Sequence, residues 1–399
     1  MKAGWQSKAI GDVCDVVNGG TPKTGITEYW DGPHQWITPA EMGKRVSPYI
    51  DQTERTITDA GMRNSSARLL PQNSVILSSR APIGHLVINA VPMATNQGCK
   101  GLVPRNGLDS KYLYYYLKSI VPLLNDLGTG ATFKELSGGK LKEVSVPVAP
   151  LSEQHRIVAI LDEAFDGIAT AKANAEKNLQ NARALFESHL QSVFTERGEG
   201  WVEKPLEEIV DAQCSLSYGI VQPGNDFPSG LPVVRPTDLT SKVIAVDGLK
   251  RIDPKLADGY KRTTLRGNEL LLCVRGSTGV VAVTSPELAG ANVTRGIVPI
   301  MFEPSLLRQE FGYFLMTSEA VQSQIRAKTY GAALMQINIG DLRKISVSFP
   351  PIKEQERMAE KLEDLSGETQ RLESLYQRKL AALDELKQSL LHQAFSGKL

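Results

Sequence analysis

The sequence predicts an α+β chain with a pseudo-twofold internal repeat. Two α/β globular modules are joined by two long helices that pair as an antiparallel intramolecular coiled coil. Three observations predict this. The same helix-start signal occurs twice, as PLSEQHRIVAIL at 150–161 and PIKEQERMAEKL at 351–362. Each signal opens a stretch of about 45 residues with apolar positions three, four and seven apart. Each is preceded by about 150 residues in which short β-rich runs alternate with Gly, Pro and Asn turns. The expected boundaries are 1–150 for the first module, 151–197 for the first helix, 198–350 for the second module and 351–399 for the second helix.

The repeat can be followed along the chain. Gly4-Trp5 recurs as Gly200-Trp201; Lys8 then matches Lys204, and Ile10 matches Leu206. LPQNSVILSSRAPIGHLVI (70–88) overlays LRGNELLLCVRGSTGVVAV (265–283) at an offset of 195 and pairs Asn73 with Asn268, Arg80 with Arg275 and Gly84 with Gly279. The overlay continues through NQGCKGLVP (96–104) over ANVTRGIVP (291–299), where Lys100 meets Arg295 and Gly101 meets Gly296. KYLYYYLKS (111–119) lies over EFGYFLMTS (310–318). From Gly130 the offset is 201 and holds to the end: GATFKELSGGKLKEVSV (130–146) covers GAALMQINIGDLRKISV (331–347), and ESHLQSVF (187–194) covers QSLLHQAF (388–395). Loops tolerate insertion. A helix whose length is held to the residue acts as a ruler or a mating surface.

Within the helices, a Pro ends the preceding strand two residues before Ser152 and Lys353, and Ser152 is read as an N-cap. The first seam is Ile157, Leu161, Ala164, Ile168, Ala171, Ala175, Ala182 and Leu185; the second is Met358, Leu362, Leu365, Leu372, Tyr376, Leu383, Leu386 and Leu390. An Ala-rich stripe facing a Leu-rich one suits small-into-large packing. A helix of 45 residues spans roughly 65 Å and is poorly stable without a partner for its stripe. The repeat supplies that partner within the chain and would set the two modules at opposite ends. The alternatives are an interdomain helix bundle or a parallel homodimeric coiled coil.

With 399 residues, 41% hydrophobic and 22% charged, the chain has the composition of a soluble globular protein of several domains. No apolar run approaches the ~20 residues of a membrane span, and MKAGWQSKAIGDV has no signal-peptide core, so a cytoplasmic location is expected. Cys14, Cys99, Cys214 and Cys273 are scattered, which fits reduced thiols and not a zinc cluster. The net charge of +1 means that any nucleic-acid face is a local patch, balanced by acid elsewhere.

The duplicated P-x-x-E-Q-x-R helix start (Glu153, Gln154, Arg156; Glu354, Gln355, Arg357) and the ending LLHQAFSGKL resemble the specificity subunits of type I restriction-modification enzymes. NGGTPKTGITEYWDGPHQWITPAEM (18–42) is similar to the opening of many target recognition domains in that family. The second module has SLSYGIVQPG (215–224) in that place, so the two modules are expected to read different sequences. The resemblance implies that each module is a target recognition domain for one half of a bipartite, asymmetric site in double-stranded DNA. It implies that the helical pair, with Glu-Gln-x-Arg as its partner/helix signature, sets the spacer and docks two modification (methyltransferase) subunits. Restriction (helicase-nuclease) subunits would complete the complex. The chain itself would bind no cofactor, S-adenosylmethionine being held by the methyltransferase, and ATP and magnesium by the restriction subunit.

No catalytic constellation of the chain's own stands out. An amino-methyltransferase needs an acidic or amide residue before Pro-Pro-aromatic; FPPI (349–352) lacks both the acid or amide and the aromatic. LSGGK (136–140) lacks the spacing of a phosphate loop. His34, His85, His155, His189 and His392 show no metal spacing. The chain is therefore expected to be a non-catalytic subunit.

Base edges and phosphates are read by Arg, Lys, Asn, Gln, Ser, Thr and Tyr side chains on loops. The first-module candidates are Thr21, Lys23, Thr24, Arg80, Asn96, Gln97, Lys100, Thr132 and Lys134. Those of the second are Tyr218, Gln222, Arg235, Arg275, Ser277, Thr278, Asn292, Arg295, Tyr330 and Gln336. Arg80 and Arg275 lead, because each follows an apolar strand and recurs; the alternative is a structural arginine. Residues that recur point to a shared role such as phosphate binding. Base-specific contacts belong where the modules differ, at 21–38 and 215–238. Trp30 and Trp36 are read as core anchors of the first recognition loop, and Tyr112, Tyr114, Tyr115 and Tyr116 as core residues of a helix. A coiled-coil scaffold that joins proteins without reading DNA is the competing reading.

Overall fold

The computed structural model describes residues 4–45, 47–130, 134–332 and 334–399. The chain divides into two compact units, Met1–Glu176 with Arg378–Leu399, and Lys177–Gln377. Each contains one module and a stretch of both long helices, Leu151–Thr195 and Ile352–Ser396.

The first module is built on a five-stranded sheet in the order Cys14–Asn18, Cys99–Pro104, Val75–Ser79, Ile83–Asn89, Tyr49–Ile50. VILSS is buried at every position, as befits a strand covered on both faces. A second sheet, Thr56–Ile57, Trp30–Ile37, Met93–Thr95, carries the opening loop. Trp36 and Trp30 lie in its core, edge to face at 5.1 Å. Their indole N–H groups donate to the Gly20 and Lys23 carbonyls, so they anchor the loop from below. The second module repeats the plan with shorter strands. Leu270–Cys273 is flanked by Val281–Val283 and Ile297–Ile300, and Leu231–Val234 by Lys250–Ile252 and Asn292–Val293. Asn73 and Asn268 both take positive φ, at 67° and 101°, where asparagine is tolerated better than most residues.

Each module closes on itself in the same way. Its first strand pairs antiparallel with the strand that leads into the long helix: Lys8 faces Val146, and Lys204 faces Val347. Between these ends sits a helix, Ser110–Ser119 or Gln309–Thr317. Tyr112, Tyr114, Tyr115 and Tyr116 are all buried there. The Tyr112 hydroxyl donates to the Pro147 carbonyl at 2.7 Å, and that of Tyr115 to Asp162 of the first long helix at 2.5 Å.

The overlay requires one correction. The carbonyl of Gly98 accepts from Ser79, and that of Gly296 from Val274. The strands therefore equate Gly98 with Gly296, three residues from the sequence overlay. Lys100 stands opposite Leu77, where the second module has Val298 opposite Leu272. Arg295 belongs to the turn before the strand, in the place of Gln97. The shared Gly-hydrophobic rhythm allowed the slip; strand register, which sets the side-chain face, resolves it.

The long helices run antiparallel within each unit. In the first unit Lys172 pairs with Asp384 at 2.8 Å, while Arg156 donates to the Leu399 carbonyl. Ile157 and Leu161 share a core with Leu391 and Ala394. In the second, Arg183 pairs with Glu373, and Leu190 and Phe194 share a core with Ala359 and Leu362. The buried stripe is narrower than the sequence reading. Leu161, Ile168, Ala175 and Ala182 are buried at strict heptad spacing, as are Leu362 and Thr369. Leu185, Leu372 and Leu386, read as seam residues, are exposed, because a two-helix seam covers only one narrow stripe of each helix. Ser152 lies inside the first turn and does not cap it; the Pro150 and Pro351 carbonyls accept the first amide bonds.

Gln154 and Gln355 are fully buried. Gln154 donates to the Gly107 and Ala149 carbonyls at 2.8 and 2.7 Å and accepts from the Asp109 amide at 2.8 Å. Gln355 makes the same three bonds, to Leu306, Pro350 and Arg308. The signature glutamine thus ties each helix to the loop before the aromatic helix and offers nothing to a partner. Gln154→Leu or Gln355→Leu strands one amide and two carbonyls without water. Each is expected to lower stability in urea unfolding by about 2–3 kcal/mol, while Arg156→Ala, which removes bonds at the surface, should cost under about 1 kcal/mol.

Candidate nucleic-acid interface

Near the start of each module lies one loop, the entrance loop, that passes close to a strand end. A Cβ on Gly19 would lie 1.9 Å from the Asn96 carbonyl oxygen, and one on Gly219 2.0 Å from that of Val293. Only glycine lets the chain pass this close to the strand end. From there Lys23 and Thr24 lie exposed, as does Gln222. Thr21 accepts from the Asn96 amide at 3.1 Å, and Asn96 in turn accepts from the Gly98 amide. Tyr218 is half-buried, with its hydroxyl on the Ile337 carbonyl.

Arg80 and Arg275 follow matching strands, and in each module a later loop docks against them. Glu135 bridges to Arg80 and Gln336 to Arg275 as isolated antiparallel pairs. The Leu136 amide donates to Ser79, and the Ile337 amide to Val274. The loops are pinched at their bases by reciprocal amide bonds, Thr129 with Glu135 and Tyr330 with Gln336. In the second module this gathers Arg275, Ser277, Thr278, Tyr330 and Gln336. Thr278 donates to the Met335 carbonyl, Gln336 to the Tyr330 hydroxyl, and that hydroxyl to Asn338 at 2.6 Å. In the first, Arg80 lies against Gly98 and beside Asn96. Lys134 and Gln97 are exposed nearby in the chain, and Thr132 lies outside the described residues.

Three candidates are placed differently from the sequence reading. Lys100 is buried, with Glu135 as its acid at 3.9 Å, because it sits in mid-strand. Asn292 is also buried: it accepts from Thr263 at 2.8 Å and donates to the Tyr260 carbonyl, supporting its strand from behind. Arg235 is held by Asp238 at 2.8 Å, though it keeps an exposed edge. Arg295 is exposed in its turn, close in the chain to Gly296, which packs on Pro236 and the Arg275 carbonyl.

Sequence reasoning missed Glu135 and Arg55. Glu135 lies 3.7 Å from Arg80, and its repeat partner Gln336 was the available signal. The Arg55 guanidinium stacks 3.6 Å from the centre of the Trp30 ring; nothing in the local sequence marks that contact.

Among the described residues, no group of three or more His, Cys, Asp or Glu side chains could hold a metal ion. Burial pushes the Cys14 and Cys99 thiols up to about 12, far from nucleophilic thiolates. No helix among the described residues is long and apolar enough to cross a membrane.

Two modules of one plan, each presenting an arginine and a pinched loop, and two helices of equal length define a duplicated recognition protein. The family profile described as "Type I restriction modification DNA specificity domain" matches residues 2–180 and again 198–379. The chain belongs to this family and carries its domain twice, as a type I restriction-modification specificity subunit. It is 28% identical over 380 residues to the MjaIX specificity subunit of Methanocaldococcus jannaschii, covering 87% of this chain and 83% of that one. It is 26% identical over 331 residues to the EcoBI specificity subunit of Escherichia coli, covering 77% and 70%. Among solved structures, a chain from a study of complex assembly and conformational transition in a type I R-M system matches with a TM-score of 0.80 and 18% identity, over 100% of this chain and 99% of that one. The HsdS subunit from Thermoanaerobacter tengcongensis matches at 0.64 and 17%, over 100% and 98%. These two share the fold.

Because Asn292 supports its strand from behind, Asn292→Ala is expected to lower the unfolding midpoint of the second module without changing the salt dependence of DNA binding. Calorimetry and a salt titration on the same preparation check both halves.

Proposed function

We infer that the chain reads a bipartite, asymmetric site in double-stranded DNA, one half per module. The observation that carries this is the recurrence of one display in both modules, Arg80 with the 129–135 loop and Arg275 with the 330–336 loop, beside entrance loops that differ. A common framework suits contacts with the phosphate backbone, which position but do not specify. The divergent stretches 21–38 and 215–238 are where base edges would be read. In this reading the long helices set the spacer, and two weak half-site contacts become one tight one when the span matches. Two methyltransferase subunits dock on the helical pair; the exposed Leu185, Leu372, Leu375 and Leu386 give it apolar surface for that purpose. Restriction subunits complete the complex. S-adenosylmethionine is held by the methyltransferase, ATP and magnesium by the restriction subunit, and none of them by this chain.

The test is single-molecule methylation sequencing of the host genome with the gene intact and deleted. Methyladenine is expected to vanish on deletion from one bipartite motif with a fixed gap. An unchanged pattern favours a scaffold that does not read DNA. In addition, Arg275→Ala is expected to weaken binding about equally across sequences and to reduce the slope of log affinity against log salt by about 0.9, one phosphate contact. A change confined to one base of the motif would instead make Arg275 a base reader.

A further inference from the structure

The two displays are alike in fold but not in charge. In the first module Glu135 stands between two cations, 3.7 Å from Arg80 Nη1 and 3.9 Å from Lys100 Nζ. Lys100 is buried in mid-strand, and a buried cation needs an acid close by. In the second module the same three places hold Arg275, Val298 and Gln336. With no lysine to neutralise, no acid is needed, and Arg275 makes no ion pair among the described residues. The Lys–Glu pair of one module is thus exchanged as a unit for a Val–Gln pair in the other.

This exchange alters what the shared arginine can do. A phosphate approaching Arg80 must displace the Glu135 carboxylate and meets its repulsion, since both anions seek one guanidinium. A phosphate approaching Arg275 meets neither. We propose that Glu135 is an electrostatic gate on the first reader, occupying Arg80 in the place a DNA phosphate would take, while the ungated Arg275 makes the second module the anchor. The inference rests on the DNA-reading function above. It makes Glu135 a positioning residue that acts through Arg80, and makes binding asymmetric. The second module contributes more of the sequence-independent affinity, and the first closes on DNA when its other contacts outweigh the ion-pair exchange.

The experiment uses the full chain assembled with its methyltransferase subunits. Fluorescence anisotropy against a random-sequence duplex, over a series of salt concentrations, reads phosphate contacts alone. Glu135→Gln is expected to bind roughly twofold to fivefold tighter at low salt, the factor that corresponds to one exposed ion pair, with a log–log slope steeper by about 0.9. Gln336→Glu should do the reverse. Lys100→Val with Glu135→Gln recreates the second module's pair in the first. It should also bind tighter, and it removes the stranded lysine should the single variant fold poorly. If the wild type binds with a salt-dependent slope that neither first-module variant changes, Glu135 is only the structural partner of Lys100 and the gate is wrong. If the wild-type assembly shows no salt-dependent binding, the DNA-reading function itself falls.

Discussion

Each long helix begins with a carboxamide that has no access to water. Gln154 and Gln355 sit one turn into their helices and bind the backbone of the segment that precedes the aromatic helix of their own module. A buried amide of this kind has one arrangement in which all its partners are satisfied, and others leave polar groups bare. It therefore fixes the rotation of the helix about its axis as well as its position. That rotation decides which residues fall on the seam. From Gln154 the buried stripe runs in steps of seven through Leu161, Ile168, Ala175 and Ala182; from Gln355 it runs through Leu362 and Thr369. The same amide links the end of each module to the start of its helix, so the orientation of the recognition surface follows from it.

The modules use the same economy. Their interiors repeat: a first strand clasped by a last one, a buried central strand followed by an arginine, and a pinched loop laid beside it. The entrance loops vary widely: the first module inserts two tryptophans under its GGTP turn, and the second carries a largely exposed run from Val221 to Ser229. A scaffold that keeps its core and changes its rim can alter what it reads without refolding. The near-neutral net charge fits this plan. The cations of the displays are few and local, and in the first module one of them is already matched by Glu135.

The partition of surface along the helices follows from geometry too. Two helices meeting along one stripe leave most of each circumference outside. Apolar residues on that outer surface, such as Leu375 and Leu386, gain nothing from the pair. Their presence is what a third partner's docking site would require, and in the proposed assembly they have that use.

Much of this was legible in the sequence because the chain states its plan twice. The repeat itself, the equal helices, the matched placement of Arg80 and Arg275 after their strands, and the core placement of the tyrosines all follow from matched residue types at matched spacing. Asn73 and Asn268, paired in the overlay, share a positive φ. What the linear pattern left undecided is register. Lys100 and Arg295 align by similarity, yet hydrogen bonding sets one in mid-strand and the other in the preceding turn, because a similar run of residues can pair three positions along. Leu185, Leu372 and Leu386 fit a heptad as well as their neighbours do, and only the docking of each helix start selected the stripe that is buried. Sequence determines which residues are able to form a strand, a seam or a reading loop. Which face each one shows, and which charge it meets there, is decided by contacts between segments far apart in the chain.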